Sequence, residues 1–316
     1  MSKKGSKVAI IGAGFVGASA AYAMAIQQLC NELVLIDVNR EKAIGEAEDI
    51  SHALAFLGQM EIRAGDWPDV RDCDVIVITA GANRKPGETR LDLAKKNVAI
   101  AKDITANIMA HYNTGVLLVV ANPVDILTYK IARWSGLPKG RVLGTGTVLD
   151  SLRFRYLLSR HFDVDVKNIH GYIIGEHGDS QIPAWSATHI AGLSIEEYCH
   201  TSGIAFTDAE RAAILANTKT AGASIIKNKG ATYYAIGITI VTLVETLLKD
   251  QNTIRTVGSV IDGPHGIHDV VLSLPSVVSR HGVEKVLELN LTETEIEGLK
   301  ASAAAVKSVL DEVRDL

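Results

Sequence analysis

The stretch VAIIGAGFVG, at Val8–Gly17, decides the fold of this chain. A short β-branched run predicts a buried strand, and Gly12, Gly14 and Gly17 follow it directly. In a strand–turn–helix unit the first glycine permits a tight turn, the second lets a ligand approach the backbone, and the third lets the helix pack on the strand. The N-terminus of that helix offers free N–H groups to an anion such as a pyrophosphate. The sequence therefore predicts a dinucleotide-binding turn.

A carboxylate at the end of the next strand narrows the choice of dinucleotide. Asp37 follows the run Leu33–Ile36 and lies twenty residues beyond Gly17. At that position a carboxylate accepts hydrogen bonds from the adenosine ribose and repels a 2′-phosphate, so we expect NAD rather than NADP. Two alternatives stay open: Arg40 would accommodate the phosphate of NADP, or the glycine turn binds no ligand at all.

Short apolar runs alternate with helical patterns along the first half of the chain. The runs are nearly continuous in Val, Ile and Leu, as expected for strands that helices cover on both faces. The predicted strands are Lys7–Gly12, Glu32–Asp37, Asp74–Ala80, Val116–Asn122 and Arg141–Gly144. Helical patterns at Asn39–Leu57 and Leu91–Tyr112 lie between them. This order predicts an α/β fold with a doubly wound, parallel Rossmann sheet.

The pattern changes after about residue 145. Longer helices begin at capping boxes headed by Ser194, Thr207 and Thr292, where a hydroxyl and a carboxylate satisfy free N–H groups. Strand-like runs are interspersed at Val166–Ile174, Asp269–Leu274 and Glu284–Leu289, and the last helix is expected near Glu295–Val313. We therefore predict two domains, a Rossmann domain at 1–145 and an α+β catalytic domain at 146–316.

The composition excludes several classes of protein. Of the 316 residues 47% are hydrophobic and 22% charged, which is typical of a globular protein with a large core. A net charge of −4 gives no basic surplus for binding nucleic acid. Cys30, Cys73 and Cys199 form no C-x-x-C pair, which indicates reduced thiols in the cytoplasm and no metal site. The uncharged stretch Val8–Asn31 is interrupted by glycines, so we expect neither a membrane span nor a signal peptide there.

A second group of residues carries acid–base chemistry. His177 stands between glycines and carboxylates in the segment Ile174–Asp179, at the end of a predicted strand. Asp150 and Arg153 are three residues apart and share one face of a helix. Arg90 lies in a charged loop at the edge of the sheet where open α/β folds bind ligands.

Together these residue types suit the reduction of a 2-oxo acid. A guanidinium binds the substrate carboxylate, an imidazole donates a proton to the ketone, and a carboxylate fixes the tautomer of the imidazole. Each residue taken alone also has an ordinary explanation. The histidine would be structural, and the charged groups would be solvated on the surface.

Motifs in a consistent order along the chain resemble the lactate/malate dehydrogenase family, and in particular its bacterial L-lactate dehydrogenases. They are Val8–Gly17, AGANRKPGETRLDL at Ala80–Leu93, ANPVDILT at Ala121–Thr128, GTGTVLDSLRFR at Gly144–Arg155, YIIGEHGD at Tyr172–Asp179 and KGATYY at Lys229–Tyr234. The resemblance covers nearly the whole chain. It implies an NAD-dependent L-2-hydroxyacid dehydrogenase that reduces pyruvate to L-lactate.

The resemblance also implies a role for each site residue. His177 would give its proton to the ketone, and Asp150 would hold the imidazole. Arg153 would bind the substrate carboxylate, and Arg90 would close over the substrate to polarise its carbonyl. Asn122 would hydrogen-bond near that carbonyl. The cofactor would contact Gly12, Gly14, Phe15, Val16, Gly17, Asp37, Ala80, Gly81 and Asn122.

Arg84 departs from the pattern of lactate dehydrogenases, which usually have glutamine at this position, six residues before Arg90. Malate dehydrogenases place an arginine there to pair with the second carboxylate of oxaloacetate. Facing the methyl group of pyruvate, a guanidinium would be a buried charge without a partner, at a cost of about 3–5 kcal/mol. L-malate dehydrogenase activity is therefore the alternative, unless Arg84 turns out to solvent. Thr232, which would line the pocket, follows the lactate pattern.

Arg155 and His170 match positions at which bacterial L-lactate dehydrogenases bind the activator fructose 1,6-bisphosphate across a subunit interface. The resemblance therefore implies an allosteric site in a homotetramer. Their ordinary explanation is an exposed arginine and a histidine at the end of a strand.

Two functions of other classes are also open. A non-catalytic NAD-binding protein would have no reason to keep His177, Asp150 and Arg153 together. An NAD-dependent glycosidase, which can share this architecture, would call for a metal-binding set of Cys and His, and the three scattered cysteines offer none.

Overall fold

The computed structural model describes residues 5–83 and 87–316. Strands and helices alternate along the first half of the described chain. In order they are β1 (Lys7–Ile11), α1 (Phe15–Gln27), β2 (Glu32–Ile36), α2 (Arg40–His52), α3 (Leu54–Leu57), β3 (Glu61–Ala64), β4 (Val75–Ile78), α4 (Arg90–His111), β5 (Val116–Val119), α5 (Val124–Ser135) and β6 (Val142–Gly144).

The second half mixes long helices with short strands. In order they are α6 (Val148–Phe162), β7 (Ile169–His170), β8 (Ile173–Ile174), β9 (Ile182–Pro183), β10 (His189–Ile190), β11 (Leu193–Ser194), α7 (Ile195–Ser202), α8 (Asp208–Lys229), α9 (Tyr234–Leu248), β12 (Thr253–Arg255), β13 (Gly258–Asp262), β14 (His268–Ser273), β15 (Ser276–Ser279), β16 (Gly282–Val286) and α10 (Glu293–Glu312). No helix among the described residues combines the length and apolar character that a membrane span requires.

The largest sheet has the strand order β14-β13-β6-β5-β4-β1-β2-β3. Strands β1 to β6 pair in parallel, so their carboxyl ends open at one edge. Alternate residues of β1 enter two different apolar cores, Ala9 and Ile11 in one and Val8 and Ile10 in the other. Burial on both faces explains why the run is continuously apolar. The predicted Rossmann-type α/β fold is confirmed.

Several local predictions are wrong in extent or incomplete. The run Val166–Ile174 is not one strand: it contains a 3₁₀ turn and the two-residue strands β7 and β8, which belong to different sheets. The predicted helix Asn39–Leu57 divides at Ala53 into α2 and α3. The last predicted strand, Glu284–Leu289, begins and ends earlier, as β16.

Seven strands of the described chain were missing from the sequence-based prediction: β3, β9, β10, β11, β12, β13 and β15. Of these, β13 pairs antiparallel with both β6 and β14, so the main sheet includes residues from both sides of position 145. The domain boundary at that position stays a prediction.

Capping boxes fix where the longer helices begin. Those at Ser194, Thr207 and Thr292 are confirmed. Another begins α4: Thr89 Oγ1 accepts from the N–H of Asp92 at 3.1 Å, and Asp92 Oδ2 accepts from the N–H of Thr89 at 3.0 Å. Reciprocal bonds of this kind stop a helix from unwinding at its start. The box therefore places Arg90 at the first position of α4.

Candidate active site

The glycine turn, residues Gly12–Gly17, joins β1 to α1. Gly12 has a φ of +108°, and a Cβ there would lie 2.7 Å from the backbone nitrogen of Ala80. A Cβ on Gly17 would lie 1.9 Å from the carbonyl oxygen of Gly12. Both positions therefore exclude a side chain. A Cβ on Gly14, in contrast, would meet no described atom within 4 Å, so this glycine opens onto free space.

The N-terminus of α1 is left open to a ligand. Its N-cap, Gly14, makes no side-chain capping bond, and its first turn contains no acidic residue. Helices α4, α8 and α10 instead begin with capping boxes and acidic first turns. The first N–H groups of a helix lack partners inside the helix and attract anions. The glycine turn thus fits the pyrophosphate of a dinucleotide on both shape and charge.

Asp37 ties the end of β2 to the glycine turn. Its Oδ2 accepts from the N–H of Ala13 at 2.6 Å, and its Oδ1 accepts from the N–H of Asn39 at 2.8 Å. The half-buried carboxylate thus lies beside the turn, as the ribose-binding role requires. Arg40, the residue that left NADP open, pairs with Asp66.

The His177 cluster consists of Asp125, Asp150, Arg153 and His177. His177 Nδ1 lies 2.6 Å from Asp150 Oδ2, and Arg153 Nη1 donates to Asp150 Oδ1 at 3.2 Å. The side chain of Asp150 is 3% exposed, that of Arg153 17% and that of His177 28%. One buried carboxylate therefore serves an imidazole and a guanidinium that both reach toward solvent. The predicted grouping of these three residues is present in the structure.

Charge in the cluster favours the protonated imidazole. Burial alone lowers the pKa of His177, but attraction to Asp150, the bond to it, and attraction to Asp125 outweigh burial and raise the pKa to about 9. Burial acts to raise the pKa of the Asp150 carboxyl, but attraction to His177 and Arg153 and the hydrogen bonds from them outweigh burial. The net result is a pKa below the usual value. Because an ionised carboxylate only accepts, the hydrogen of this bond lies on Nδ1.

Side chains of helices α5 and α10 bind the backbone at His177 and at the residue before it. The N–H of His177 donates to Asp125 Oδ2, in the first turn of α5, at 2.7 Å. The preceding residue is held from α10, since the N–H of Glu176 donates to Ser302 Oγ at 2.7 Å. The sequence-based reasoning missed Asp125 and Ser302. Asp125 stands in the quoted motif ANPVDILT, so that motif was an available signal, whereas nothing local marked Ser302.

Arg90 is near the cluster but does not touch His177. Its guanidinium pairs with Asp179, two residues beyond His177, and both side chains are about three-quarters exposed, at 73% and 77%. The carbonyl oxygen of Asp179 accepts from Lys219 Nζ of α8 at 2.8 Å. Arg84, the residue predicted to discriminate between substrates, lies outside the described residues.

Asn97 of α4 connects the loops after β4 and β5. Its Oδ1 accepts from the N–H of Ala82 at 2.7 Å, and its Nδ2 donates to the carbonyl oxygen of Asn122 at 2.6 Å. Gly81 packs close to Asn97, where a Cβ would lie 3.4 Å from its amide. Sequence reasoning missed this 2% exposed residue. It aligns two loops that carry predicted cofactor-binding and substrate-binding residues.

The other predicted residues lie around the same edge of the sheet. Phe15 is exposed at the start of α1 and stacks on Tyr233, with ring centroids 5.2 Å apart. Val16 follows Phe15 in α1, and the backbone of Ala80 packs against Gly12. Thr232 is half-buried in the loop between α8 and α9, next to Tyr233. The loops after β1, β4 and β5 and the loop before α9 thus supply most of the predicted cofactor and pocket residues.

Arg155 lies on α6, the helix that also carries Asp150 and Arg153, and His170 lies on β7. Arg155 is half-buried, and its Nε is buried without a hydrogen-bond partner among the described residues. The Nε of Arg255, on β12, is in the same situation. Burial and repulsion from Arg255 lower the pKa of Arg155. His170 is exposed. Arg155 and Arg255 are therefore two partly buried guanidinium groups close enough to repel each other, and His170 offers an accessible imidazole.

Two family descriptions match the chain. Residues 6–144 match "lactate/malate dehydrogenase, NAD binding domain" and residues 147–316 match "lactate/malate dehydrogenase, alpha/beta C-terminal domain". A protein named L-lactate dehydrogenase from Thermoanaerobacter sp. (strain X514) is 52% identical over 308 residues, which are 98% of this chain and 99% of that protein.

Solved structures of proteins named L-lactate dehydrogenase also match this chain. That of an L-lactate dehydrogenase from Clostridium thermocellum is 63% identical, with a TM-score of 0.87 over 98% of this chain and 100% of the other. That of the minor L-lactate dehydrogenase from Enterococcus mundtii, in a ligand-bound form, is 41% identical, with a TM-score of 0.95 over 98% and 99%. On the glycine turn, the His177 cluster and these matches, the chain belongs to the lactate/malate dehydrogenase family.

Proposed function

We propose that this protein is an NAD-dependent L-2-hydroxyacid dehydrogenase of the L-lactate type, which converts pyruvate, NADH and a proton to L-lactate and NAD⁺. The observation that carries the proposal is the 2.6 Å contact between His177 Nδ1 and a buried Asp150 whose other oxygen binds Arg153. This arrangement supplies a proton donor and a carboxylate-binding guanidinium side by side. The relatives named L-lactate dehydrogenase support the same activity.

The cofactor would be held by the glycine turn and Asp37. NADH, when bound, supplies the hydride to the substrate, as nicotinamide cofactors do. The open face of Gly14 and the uncapped start of α1 accept the pyrophosphate, and Asp37 accepts hydrogen bonds from the ribose. Phe15, Val16, Ala80, Gly81 and Asn122 lie along the same edge and complete the cofactor-binding set.

The chain's own residues orient the substrate and move the proton. Because Nδ1 of His177 is engaged with Asp150, the ring nitrogen that faces the substrate ketone is Nε2, and it donates the proton there. Asp150 stabilises the imidazolium before the transfer. Arg153 binds the substrate carboxylate through its forked N–H groups.

Arg90 acts only after it leaves Asp179. Movement of Arg90 toward the substrate exchanges this exposed ion pair for the substrate carbonyl, which the guanidinium then polarises. An exposed ion pair of this kind contributes about 0–1 kcal/mol of stabilising free energy, so breaking it costs little. Asn122 and Thr232 line the pocket.

The substrate is pyruvate rather than oxaloacetate in this proposal. Arg84 was the reason for the malate alternative, but three relatives that match over 99% of their length are named L-lactate dehydrogenase, which does not favour that alternative. The test is NADH oxidation by the purified protein with pyruvate and with oxaloacetate. A higher kcat/KM for pyruvate is the expected result, and a strong preference for oxaloacetate would overturn it.

We also propose that the enzyme is a homotetramer whose activator is fructose 1,6-bisphosphate, bound at Arg155 and His170. The buried Nε atoms of Arg155 and Arg255 support the site, because crowded cations are stabilised by a multiply charged anion. The activator should raise kcat/KM for pyruvate in the wild type and not in Arg155→Gln. Arg160→Gln, an exposed site on the same helix, is the matched control. No response of the wild type would remove this part of the proposal.

Two further expectations stay within the proposal. The domain boundary is placed between residues 145 and 146, at the turn that leads from β6 into α6. The location is cytoplasmic, since all three cysteines are free thiols, as is usual in a reducing compartment.

A further inference from the structure

Asp125 is a buried carboxylate that the catalytic roles above do not use. It lies in the first turn of α5, three residues after Asn122, and is 3% exposed. One oxygen, Oδ2, accepts from the N–H of His177 at 2.7 Å. The other, Oδ1, is buried and has no hydrogen-bond partner among the described residues. Buried carboxylate oxygens without partners are costly, which indicates a role beyond packing.

The surroundings of Asp125 contain charged groups and a strand packed close to its carboxylate. The charged groups that act on it are His177, Glu176 and Asp150. Strand β13 is also close, since a Cβ on Gly258 would lie 3.3 Å from Oδ1. The carboxylate is therefore close both to Gly258 and to the backbone of His177. Its strongest favourable partner is His177, which it meets through the backbone N–H and through charge.

The charges of Asp125 and His177 act on each other. Burial, with the negative charges of Glu176 and Asp150, raises the pKa of Asp125 to about 7, against the attraction of His177. Asp125 in turn helps to raise the pKa of His177. Ionised Asp125 thus favours the imidazolium, the form that donates a proton.

We propose that Asp125 is a positioning residue that anchors the backbone of His177 and whose negative charge keeps the imidazole protonated. His177 is then held at two points by two carboxylates, Asp150 at the ring and Asp125 at the main chain. Asp150 fixes the ring orientation, whereas Asp125 fixes the position of the His177 main chain and adds a second negative charge that acts on the imidazole. The inference rests on the proposed function for its activity readout and on geometry for the rest.

The test is the pH dependence of kcat/KM for pyruvate in Asp125→Asn. Asparagine keeps an oxygen that accepts from the His177 N–H and removes only the charge. The pKa of His177 then falls, so the alkaline loss of activity should move to lower pH by about half a unit or more. At pH 6, where His177 is protonated in both proteins, activity should stay within about threefold, since the anchor remains.

The matched control is Asp163→Asn, at the exposed C-cap of α6, which removes the same charge ~20 Å along the helix from Asp150. It should leave the pH profile unmoved. An unmoved profile in folded Asp125→Asn would overturn the proposal. If that variant does not fold, Asp125→Ser is judged by the same criterion. Failure of both to fold would also overturn the proposal, since Asp125 would then serve the fold and not His177.

A second readout separates this inference from the proposed function. Diethyl pyrocarbonate modifies neutral imidazole, so its rate at His177 against pH reports the pKa without any turnover. The signal of His177 is identified as the part missing in His177→Asn. A lower pKa in Asp125→Asn is expected even if pyruvate proved not to be the substrate, and an equal pKa in both proteins would contradict the inference.

Discussion

The glycine turn is built from neighbouring residues, whereas the His177 cluster is built from residues that lie far apart along the chain. The turn is six consecutive residues, and its function depends on the side chains that are missing. The cluster joins α5, α6 and the loop after β8, and Asp125 and His177 are 52 positions apart. Its function depends on charges that the fold brings together. The first can be recognised in a short stretch of sequence, and the second depends on the tertiary structure.

The comparison is sharpest at two of the three glycines of the turn, Gly14 and Gly17. Gly17→Ala places a Cβ 1.9 Å from a backbone oxygen, a contact that requires the backbone to shift, so we expect little folded protein and no NADH binding. Gly14→Ala is the matched control, because its Cβ would meet free space in the protein alone and its φ of −75° suits alanine. We expect an unchanged Tm and about tenfold weaker NADH binding, ~1.4 kcal/mol. Normal NADH affinity in Gly14→Ala would show that the ligand does not approach there.

In the cluster the largest effect should come from the imidazole. His177→Asn removes the proton donor while the backbone bond to Asp125 remains, so kcat should fall about 10³-fold in a protein that still folds. His111→Asn, at an exposed position in the last turn of α4, is the control and should keep full activity. Turnover that survives in His177→Asn would mean that another group donates the proton.

Asp150→Asn should have a smaller effect on rate and a distinct effect on pH dependence. The variant loses the carboxylate that fixes the tautomer and stabilises the imidazolium, so we expect kcat about 10²-fold lower. The pKa of His177, about 9 in the wild type, falls when that negative charge is removed. The alkaline limb of the rate profile therefore moves to lower pH. A slower enzyme with an unmoved limb would assign Asp150 a role in packing only.

The smallest effect concerns stability, and it separates charge from shape. Since folding raises the pKa of His177 from 6.5 to about 9, its stabilising contribution is complete below pH 6.5 and is lost as the pH rises through 9. The Tm should fall across that window, by ~2–4 °C for each kcal/mol lost. In His177→Asn this part of the fall should disappear, whereas Gly14→Ala should keep it. Identical pH profiles of Tm in the wild type and His177→Asn would contradict the charge coupling.

Sequence reasoning reached the turn, Asp37 and most of the parallel strands, because each depends on residues close together along the chain. Strand β3 was missed because its sequence, EIRA, alternates charged and apolar residues and lacks the continuous apolar run of the other parallel strands. The contact of Asp150 with His177 was expected only from the family resemblance, since spacing alone does not bring α6 to the loop after β8. Asp125 and Asn97 were missed because a polar residue within a helix becomes informative only when its burial is known.

The most direct test of the account is kcat/KM for pyruvate, with NADH, measured across pH 6–10. The account predicts constant activity near neutrality and a single loss of activity as the pH passes about 9, where the His177 imidazolium held by Asp150 loses its proton. A loss centred near 6.5, the ordinary pKa of histidine, would contradict the claim that the cluster keeps His177 protonated. No oxidation of NADH with pyruvate at any pH would contradict the proposed function itself.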